Sequence, residues 1–488
     1  MKRKGVRRVN VRLLCLVLGQ ATMVVGMAML LPLIHALFLL SPLVPGLFAA
    51  FLVTMTVGEI FARYGKNHPQ KFELMDAAGV MVLIWPTFSL VGMLPFLFTG
   101  LEWPIDAFFE SVSCLTSTGI SLLEESAPNP IFVWRCLLSW IGSLTFIILL
   151  VTVAPPVCGS LGLVVTYEQS LEFSPMIRRM QRASLRALKM YGFLTGISLI
   201  LFLTTGIGVV EAVKMALMSI STGGWSEHNV FLLRNDPWLE AVASFSMMLA
   251  SVNFLLYWQA VRQRSLKTIF RDGELRVFVC MAAAFAAIIA FHLWYTGTYG
   301  AFNSIRYAIF HVLSFSSTSG FLAADVTAWP DFDRFALLLL VAIGGCIGSL
   351  SGGFKVKRMV ILFKMTFAEM RRSLHPHMVS HIGIGDELVP LRIVMNILCY
   401  FFVHISVVFV FTLLLSIADI RLSEAVGIAL AMISSVGSAS GLYGADVFTN
   451  FAPGFKLTCC VFMMIGRIEV FALMLWLAGE FEDRHKKW

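Results

Sequence analysis

The sequence predicts an all-α polytopic membrane protein, and its composition is the first reason. Of the 488 residues, 58% are hydrophobic and 14% are charged, and the mean hydropathy is +0.82. Because soluble domains carry about 25% charged residues, these values exclude a soluble globular protein. A membrane span takes about 20 apolar residues, so the chain can hold about ten spans and several shorter pieces.

A hydroxyl-rich motif with a glycine is the second reason, since it occurs four times between long apolar runs. The copies are Ser113–Ser121, Ser219–Ser226, Ser314–Leu322 and Ser434–Ser440. Their glycines are Gly119, Gly224, Gly320 and Gly437, at spacings of 105, 96 and 117 residues. Such spacings indicate one unit used four times. Each copy follows a short half-apolar segment and precedes a polar loop, which predicts a membrane helix, a short re-entrant helix, a non-helical loop and a second membrane helix.

Four such loops predict a cation pore. Irregular backbone at membrane depth is tolerated only where it lines a water-filled path or is buried in protein. Backbone carbonyls turned toward such a path can replace the water around a cation, and glycine reaches backbone conformations that a β-carbon forbids. A single copy of the motif would indicate ordinary packing of small residues between helices. Four copies in the same context favour the pore.

The predicted elements follow one another along the chain as a hairpin and four repeats. An accessory segment of two helices is expected at 1–72, with spans near 11–40 and 44–62. Pore repeats around a pseudo-four-fold axis are expected at 73–155, 190–260, 277–358 and 389–478, before a cytoplasmic tail at 479–488. The basic start of the chain resembles a signal peptide. The apolar run after it is too long and lacks a small-residue cleavage site, so we expect a retained helix.

Loop charge alternates in agreement with this topology. Basic residues concentrate at 63–72, 178–189, 262–276 and 355–372, and we expect these loops and both termini to be cytoplasmic. The net charge of +8 is thereby explained without nucleic-acid binding. The loops after the motifs carry the acidic residues Glu124, Glu125, Asp325, Asp331, Asp333 and Asp446. They are either ordinary solvated loops or a means of concentrating cations at the pore mouth.

A glycine-rich run interrupts the second span of the third repeat. It comprises Gly344, Gly345, Cys346, Ile347, Gly348, Ser349, Leu350, Ser351, Gly352 and Gly353. Each glycine costs a helix about 1 kcal/mol relative to alanine, so we expect an unwound intramembrane loop that can gate flow. A close helix-packing face is the alternative. A phosphate-binding loop is disfavoured, because neither glycine-motif spacing nor a preceding strand is present.

Charged and metal-ligating residues inside the spans are few. Arg467 and Glu469 lie in the last span, where they form either a structural pair or a positive gate element beside the path. The histidines His375, His377 and His381 lack ligand companions, and the nine cysteines have no metal spacing or disulfide framework. A membrane enzyme would need a cluster of ionisable residues, and a pure scaffold would leave four broken segments unexplained. We therefore expect no enzyme.

Several segments together resemble the membrane subunit of Trk-type bacterial potassium uptake systems, the TrkH-like members of the Trk/Ktr/HKT superfamily. They are Ile105–Ser111 continuing to Gly119, Thr222–Ser226, Phe270–Arg276, Gly344–Arg358 and Ile465–Glu469. The resemblance covers nearly the whole chain. It implies potassium uptake across a bacterial inner membrane, with no cofactor besides the transported ion. It also implies a homodimer and a cytosolic, nucleotide-binding, TrkA-like regulatory subunit.

The resemblance also implies which residues form the filter and the gate. Filter residues are Ser117, Thr118, Gly119 and Ile120; Thr222, Gly223, Gly224 and Trp225; Thr318, Ser319, Gly320 and Phe321; Ser435, Val436, Gly437 and Ser438. Potassium is expected at Thr118, Gly119, Thr222, Gly223, Thr318, Ser319, Val436 and Gly437. The family's gate falls on Gly344, Gly345, Cys346, Gly348, Ser349, Ser351, Gly352, Gly353 and Arg467.

The fourth loop departs from the family pattern. It has Ser-Val-Gly-Ser, where Trk-type members often have an Asn and a Gly-Pro-Gly. Either Gly437 or Gly441 can be its filter glycine, and we prefer Gly437. Glycine rather than serine in the first filter implies potassium preference, with rubidium as an analogue. A sodium-permeable or an Na+/H+-coupled cation transporter is the alternative.

Overall fold

The structure is a computed structural model that describes most of the chain. It covers residues 10–66, 74–123, 127–152, 173–225, 230–375, 383–384, 387–418, 420–443 and 448–468. For 74–75, 151–152, 173–181, 183, 383–384 and 387–388 it describes the backbone alone. The predicted all-α membrane fold is confirmed, apart from one antiparallel pair of two-residue strands. These are β1 (Gly383–Ile384) and β2 (Glu387–Leu388), with Gly383 opposite Leu388 and Ile384 opposite Glu387.

The helices are described in the groups that the sequence analysis predicts, an N-terminal hairpin and four units. The hairpin contains α1 (Val11–Ala28), α2 (Leu30–Phe38) and α3 (Val44–Gly65). The first unit contains α4 (Leu74–Gly92), α5 (Leu94–Phe98), α6 (Pro104–Leu115) and α7 (Asn129–Thr152). The second contains α8 (Phe173–Leu203), α9 (Val209–Ser221), α10 (Val230–Arg234), α11 (Pro237–Ser251) and α12 (Phe254–Gln263), and α13 (Lys267–Arg271) follows it.

The third and fourth units repeat this order with shorter second helices. The third contains α14 (Gly273–Tyr295), α15 (Ala301–Ser316), a 3-10 turn (Val326–Ala328) and α16 (Asp331–Ile343), and α17 (Val356–Leu374) follows it. The fourth contains α18 (Leu391–Ser416), α19 (Leu422–Ser434), two 3-10 segments (Gly437–Tyr443 and Phe448–Asn450) and α20 (Pro453–Arg467).

Fewer helices are long enough to cross a membrane than the ten spans expected. Among the described residues seven helices qualify, or eight if the bent pair α11 and α12 counts as one span. That pair turns by 89°. The helix α16 ends at Ile343 because the glycine-rich run follows it, and α20 reaches the end of the described chain. Part of the difference therefore comes from second helices: α11 and α12 form a bent pair, and α16 has only 13 residues.

By its internal contacts the chain also divides into two compact bodies, which are not the four repeat units above. One contains residues 1–116, 121–188 and 450–488, and the other contains 117–120 and 189–449. In the first, α1 and α3 approach closely at glycines: a β-carbon on Gly19 would lie 2.5 Å from the backbone nitrogen of Ala62. In the same body the indole nitrogen of Trp134 on α7 donates to the carbonyl of Gly92, 3.0 Å away. Small residues and one indole bond thus set the spacing of these helices.

In the second compact body, which contains 117–120 and 189–449, short helices pack among longer ones. The short helix α15 contacts α11, α14 and α16, and α19 contacts α16 and α18. Buried polar side chains join some of these helices, as where the Ser198 hydroxyl on α8 donates to that of Ser246 on α11 over 2.9 Å. This packing brings the second, third and fourth motifs to the ends of buried helices.

Candidate ion filter and intramembrane loop

The four motifs begin with the same backbone conformation. At or just after the end of each short helix, one hydroxyl residue adopts a left-handed conformation that costs an L-residue roughly 1–2 kcal/mol. These residues are Ser117 (φ 54°), Thr222 (φ 56°), Thr318 (φ 60°) and Ser435 (φ 57°). All four are fully buried. Each stands two positions before one of the predicted filter glycines, so the four copies correspond in backbone geometry as well as in sequence.

Three of the four filter glycines have a positive φ, and the fourth does not. Gly119, Gly224 and Gly320 have φ values of 84°, 60° and 79°. Gly437 has no positive φ and instead begins a 3-10 helix that continues to Tyr443. The departure of the fourth loop in sequence is therefore matched by a departure in its backbone after Ser435.

The first three loops contact one another through glycine and carbonyl. A β-carbon on Gly119 would collide with the carbonyl oxygen of Gly223 in the second loop. A β-carbon on Gly224 would collide in the same way with the carbonyl oxygen of Ser319 in the third loop. In both contacts the carbonyl of the residue just before one glycine faces the glycine of the neighbouring loop. No side chain fits at either position.

The fourth loop closes the circle. A β-carbon on Gly320 would lie 2.7 Å from the hydroxyl of Ser438 and 3.2 Å from Val436 Cγ1. At Gly437 it would lie 2.6 Å from the carbonyl oxygen of Thr118, and the N–H of Gly437 donates to that oxygen over 2.6 Å. The loops therefore contact one another in the order first, second, third, fourth and first again. We call this arrangement, 117–120 with 222–225, 318–321 and 435–438, the loop ring.

Hydroxyl groups of the second and fourth motifs are buried without a hydrogen-bond partner among the described residues. They belong to Ser219, Thr222, Ser434, Ser435 and Ser438. Such groups usually find a partner in a folded protein. Water is the usual partner of such oxygens in a protein interior.

The glycine-rich run is an extended loop between α16 and α17, as the sequence predicts. Gly344, Gly348 and Gly353 have φ values of 73°, 76° and 73°, and Lys355 has a φ of 84°. We call residues 344–355 the intramembrane loop. Its Phe354 N–H donates to Ala342 O over 3.0 Å, so the loop turns back on the end of α16.

The intramembrane loop bonds to the break between α11 and α12. The N–H of Cys346 donates to Ser251 O over 3.2 Å, and the N–H of Phe254 donates to Gly348 O over 3.0 Å. A β-carbon on Gly348 would lie 2.6 Å from Asn253 Oδ1. Two interrupted helices thus satisfy each other's backbone groups. The sequence analysis missed this second break, for which Asn253 was a signal: its side chain caps α12 by accepting from Leu255 N over 2.9 Å.

The intramembrane loop is also joined directly to the loop ring. The N–H of Gly352 donates to the hydroxyl oxygen of Thr318 over 2.7 Å. A β-carbon on Gly352 would collide with the carbonyl oxygen of Ser434 at the end of α19. The Lys355 ammonium turns back onto Ser351, donating to its carbonyl oxygen and, over 3.1 Å, to its hydroxyl. A cationic group is therefore buried within the loop.

An acidic side chain at the start of α14 binds backbone groups within the intramembrane loop and just after it. Glu274 is buried, and its Oε1 accepts from the N–H of Ile347 over 2.6 Å and from that of Lys357 over 3.3 Å. One side chain thus satisfies two backbone N–H groups on either side of residues 348–353. Sequence analysis assigned Glu274 no role, since a single acidic residue near a helix start normally indicates only a favourable position in the helix dipole.

Arg467 lies at the end of the first short helix. Its Nε donates to the carbonyl oxygen of Thr116 over 2.7 Å, and its guanidinium stands 5.2 Å from the centre of the Phe146 ring. The side chain is buried. Thr116 caps the C-terminus of α6, where a positive charge is favourable. The predicted neighbour Glu469 lies outside the described residues.

The sequence and the fold match known transport proteins. A sequence model of the family described as TrkH, cation transport protein, matches residues 45–484. The chain belongs to the TrkH family of cation transport proteins. Membership of this family confirms the expectation of a membrane transport protein rather than an enzyme.

Individual TrkH proteins are similar along nearly the whole chain. The Trk system potassium uptake protein TrkH of Escherichia coli K12 is 31% identical over 439 residues, which are 87% of this chain and 89% of that protein. The TrkH of Halomonas elongata is 28% identical over 477 residues, 96% of this chain and 98% of that one. The crystal structure of the potassium transporter TrkH from Vibrio parahaemolyticus has a TM-score of 0.86 at 25% identity, covering 96% and 98% of the two chains.

Ion pairs that sequence analysis missed connect neighbouring units of this TrkH-family fold. Arg306 on α15 donates two hydrogen bonds of 2.6 Å to the carboxylate of Glu240 on α11. It also donates to Asn235 Oδ1 over 2.7 Å. Lys456 on α20 lies 2.5 Å from Asp106 at the start of α6. In both pairs the second helix of one unit holds the short helix of the next. The partners are far apart in sequence, so spacing alone could not reveal them.

The acidic residues that follow the third motif each form an ion pair or a hydrogen bond. Asp331 pairs with Arg334, Asp333 lies 2.8 Å from Nδ1 of His292, and Asp325 accepts from the N–H of Thr327 over 2.9 Å. Several predicted positions lie outside the described residues, namely Glu124, Glu125, Asp446, His377, His381 and the tail. Among the described cysteines all eight are free thiols, and no metal-binding cluster of His, Cys, Asp or Glu occurs in the described part of the chain.

Proposed function

We propose that this TrkH-family protein carries potassium ions into the cell through the loop ring. The observation that supports this most directly is the closed circle of four loops, in which a glycine of each loop meets the next. Several relatives are potassium uptake proteins by name. A bacterial inner membrane is the location that fits such a protein and its seven or eight apolar spans among the described residues.

Backbone oxygens of the ring are the proposed ion ligands. Carbonyls can replace the hydration shell of a cation, and the C-terminal ends of α6, α9, α15 and α19 add partial negative charge beside them. The proposed potassium ligands are Thr118, Gly119, Thr222, Gly223, Thr318, Ser319, Val436 and Gly437. Because each loop has a single filter glycine (Gly119, Gly224, Gly320 or Gly437), the filter is short. Thr118 O already accepts from Gly437 N, so ion binding there competes with this bond.

The intramembrane loop is the proposed gate. It is bonded to Thr318 of the ring through Gly352, and Glu274 accepts from Ile347 within it and from Lys357 just after it. A shift of this loop would therefore alter a ring residue directly. Arg467, bonded to Thr116 O, is the proposed electrostatic barrier to cations.

Orientation and partners follow from the charge pattern and the resemblance. We propose that the basic segments, including exposed Arg371 and Arg372 on α17, face the cytoplasm. A second copy of the chain and a cytosolic nucleotide-binding subunit of the TrkA type stay predictions.

A flux measurement tests the proposed function. Purified protein in proteoliposomes is given rubidium, sodium or lithium outside at a fixed negative-inside potential, with empty liposomes as the control. We expect rubidium to enter faster than sodium. Absence of flux from the wild type and from Gly352→Ala, in which a β-carbon displaces the intramembrane loop from Ser434, would contradict a conducting ring.

A sodium-permeable or ion-coupled transporter is the second candidate. It is favoured by one observation, the backbone of Gly437, which differs from that of the other three filter glycines. Equal rubidium and sodium fluxes would support a relaxed filter. Flux that follows an imposed proton or sodium gradient at zero potential would support coupling.

A further inference from the structure

The short helices of the first and third units carry a polar side chain at the same position. Glu110 on α6 stands nine residues before Gly119, and His311 on α15 stands nine residues before Gly320. Both side chains are fully buried. Each also contacts the residue three positions after its glycine, although their chemistry differs. This correspondence is visible only when the two units are aligned on their filter glycines.

Glu110 holds the segment that follows the first loop. Its Oε2 accepts from the N–H of Leu122 over 2.9 Å, and its Oε1 accepts from the Ser121 hydroxyl over 3.3 Å. Oε1 also lies 2.5 Å from Nε of Arg135 on α7, another fully buried side chain. A buried pair with additional hydrogen bonds costs several kcal/mol to break by removing one partner. Glu110 is therefore fixed between the α7 arginine and residues 121–122.

His311 makes the matching contact in the third loop. Its Nδ1 lies 2.7 Å from Tyr307 O, which can only accept, so Nδ1 carries the proton. Its Nε2 lies 3.3 Å from the backbone nitrogen of Ala323, which can only donate, so Nε2 accepts. The ring of Trp329 packs edge-on against the imidazole at 4.9 Å. One neutral tautomer thus joins α15 to the segment after Gly320.

The second and fourth units have an apolar side chain at the matching helix position. These residues are Met215, whose sulfur accepts hydrogen bonds only weakly, and Ile428, which accepts none; both are buried. In the fourth loop, the residue three positions after the filter glycine is Ser440. Its hydroxyl donates to Gly437 O over 2.6 Å within the 3-10 helix. In the second loop it is Glu227, outside the described residues. The first and third loops, which alternate around the ring, are thus braced, while the fourth is not held in this way.

We propose that Glu110 and His311 are positioning residues that hold the first and third loops rigid and thereby set how strongly the loop ring discriminates between cations. A carbonyl ring selects between ions by cavity size or by the number and field of its oxygens. Two braced loops fix oxygens such as those of Thr118 and Ser319, while the other loops adapt around the ion. The inference rests on the proposed filter.

Removal of each brace without leaving a lone buried charge is the test. The variants are His311→Leu and the double variant Glu110→Leu with Arg135→Leu, measured as the rubidium-to-sodium flux ratio at fixed potential. We expect the ratio to fall roughly 3- to 10-fold in each variant, because the loss of one hydrogen bond changes an equilibrium constant by about that factor. Met215→Leu and Ile428→Leu, at the same helix position in the other units, are the matched controls and should keep the wild-type ratio.

A conservative variant and a local measurement separate bracing from a general loss of stability. In His311→Gln the side-chain oxygen can still accept from Ala323 N, so we expect most of the wild-type ratio to return. Hydrogen exchange followed by mass spectrometry should show faster exchange at 319–325 in His311→Leu and wild-type exchange in His311→Gln. If His311→Leu does not fold, the brace is still tested by the rubidium-to-sodium flux ratio of the double variant and by hydrogen exchange at 319–325 in His311→Gln.

The outcomes distinguish the brace from the filter it serves. A wild type without rubidium preference would overturn the proposed filter itself. A selective wild type whose ratio is unchanged in both His311→Leu and the double variant would overturn the brace alone. The brace would also be overturned if Met215→Leu and Ile428→Leu lowered the ratio as much.

Discussion

The N–H of Gly437 donates to the carbonyl oxygen of Thr118 over 2.6 Å, which joins the fourth loop to the first although the residues are more than 300 positions apart. The left-handed residue Ser435 stands two positions before Gly437, as Ser117, Thr222 and Thr318 stand before their glycines. A β-carbon on Gly441, the other candidate, would meet no atom within 4 Å. This geometry favours Gly437 as the fourth filter glycine.

The two glycines can be distinguished by substitution. We expect Gly437→Ser and Gly119→Ser each to lower the rubidium-to-sodium flux ratio, because a β-carbon at either place collides with a carbonyl of the next loop. Gly119→Ser is also strained by its φ of 84°. Gly441→Ser is the control and should keep the wild-type ratio in the same proteoliposome assay. The assignment is wrong if Gly441→Ser lowers the ratio and Gly437→Ser does not.

The bond between the intramembrane loop and the ring gives a second prediction. Thr318→Val keeps the shape of the side chain and removes the oxygen that accepts from Gly352 N. Since one hydrogen bond contributes about 0.5–1.5 kcal/mol, we expect basal rubidium flux to rise roughly 2- to 10-fold as the loop is released.

Thr222→Val is its matched control. Thr222 has the same left-handed backbone and a buried hydroxyl, but no hydrogen-bond partner for that hydroxyl among the described residues. We expect its basal flux to stay near the wild-type value. Equal increases in both variants would mean that the ring hydroxyls, rather than the link to Gly352, limit flux.

Arg467 gives a third prediction, in which charge and structure are separated. Arg467→Ala removes the positive charge and should raise rubidium flux at least roughly 5-fold, because a unit charge a few ångström away contributes about 1 kcal/mol even in water. Arg467→Lys keeps the charge and should stay within about 2-fold of wild type. Loss of flux in both variants would instead show that the bond to Thr116 O holds α6 in place.

The ion pair between units gives a fourth prediction, on stability. Glu240 and Arg306 are largely buried, with side-chain exposures of 3% and 11%. Glu240→Gln leaves the arginine without its ionic partner, and breaking a buried pair in this way costs about 3–5 kcal/mol. We therefore expect a clear fall in the apparent Tm in detergent. Glu369→Gln breaks the exposed pair with Arg372 and should change the free energy of unfolding by less than about 1 kcal/mol.

Much of the fold could be predicted from local patterns in the sequence. The apolar runs indicated the spans because each must satisfy its own backbone in the membrane. The hydroxyl and glycine motifs indicated where short helices end, and the structure has a left-handed residue at each of those points. The run from Gly344 to Gly353 indicated an interruption because glycine weakens a helix wherever it occurs. These are properties of neighbouring residues, so one sequence suffices to reveal them.

Relations between distant residues were decided only by the tertiary structure. The break at Ser251–Asn253 has one weak signal in the sequence, yet its backbone groups are satisfied by Cys346 and Gly348 of another unit. Likewise, Glu110 and His311 look unrelated in sequence, since a carboxylate and an imidazole share only the ability to accept a hydrogen bond. Hydrophobic pattern and backbone preference determine which segments cross the membrane and where they break. Which broken end meets which depends on packing in three dimensions, because a hydrogen bond requires proximity in space and places no constraint on separation along the chain.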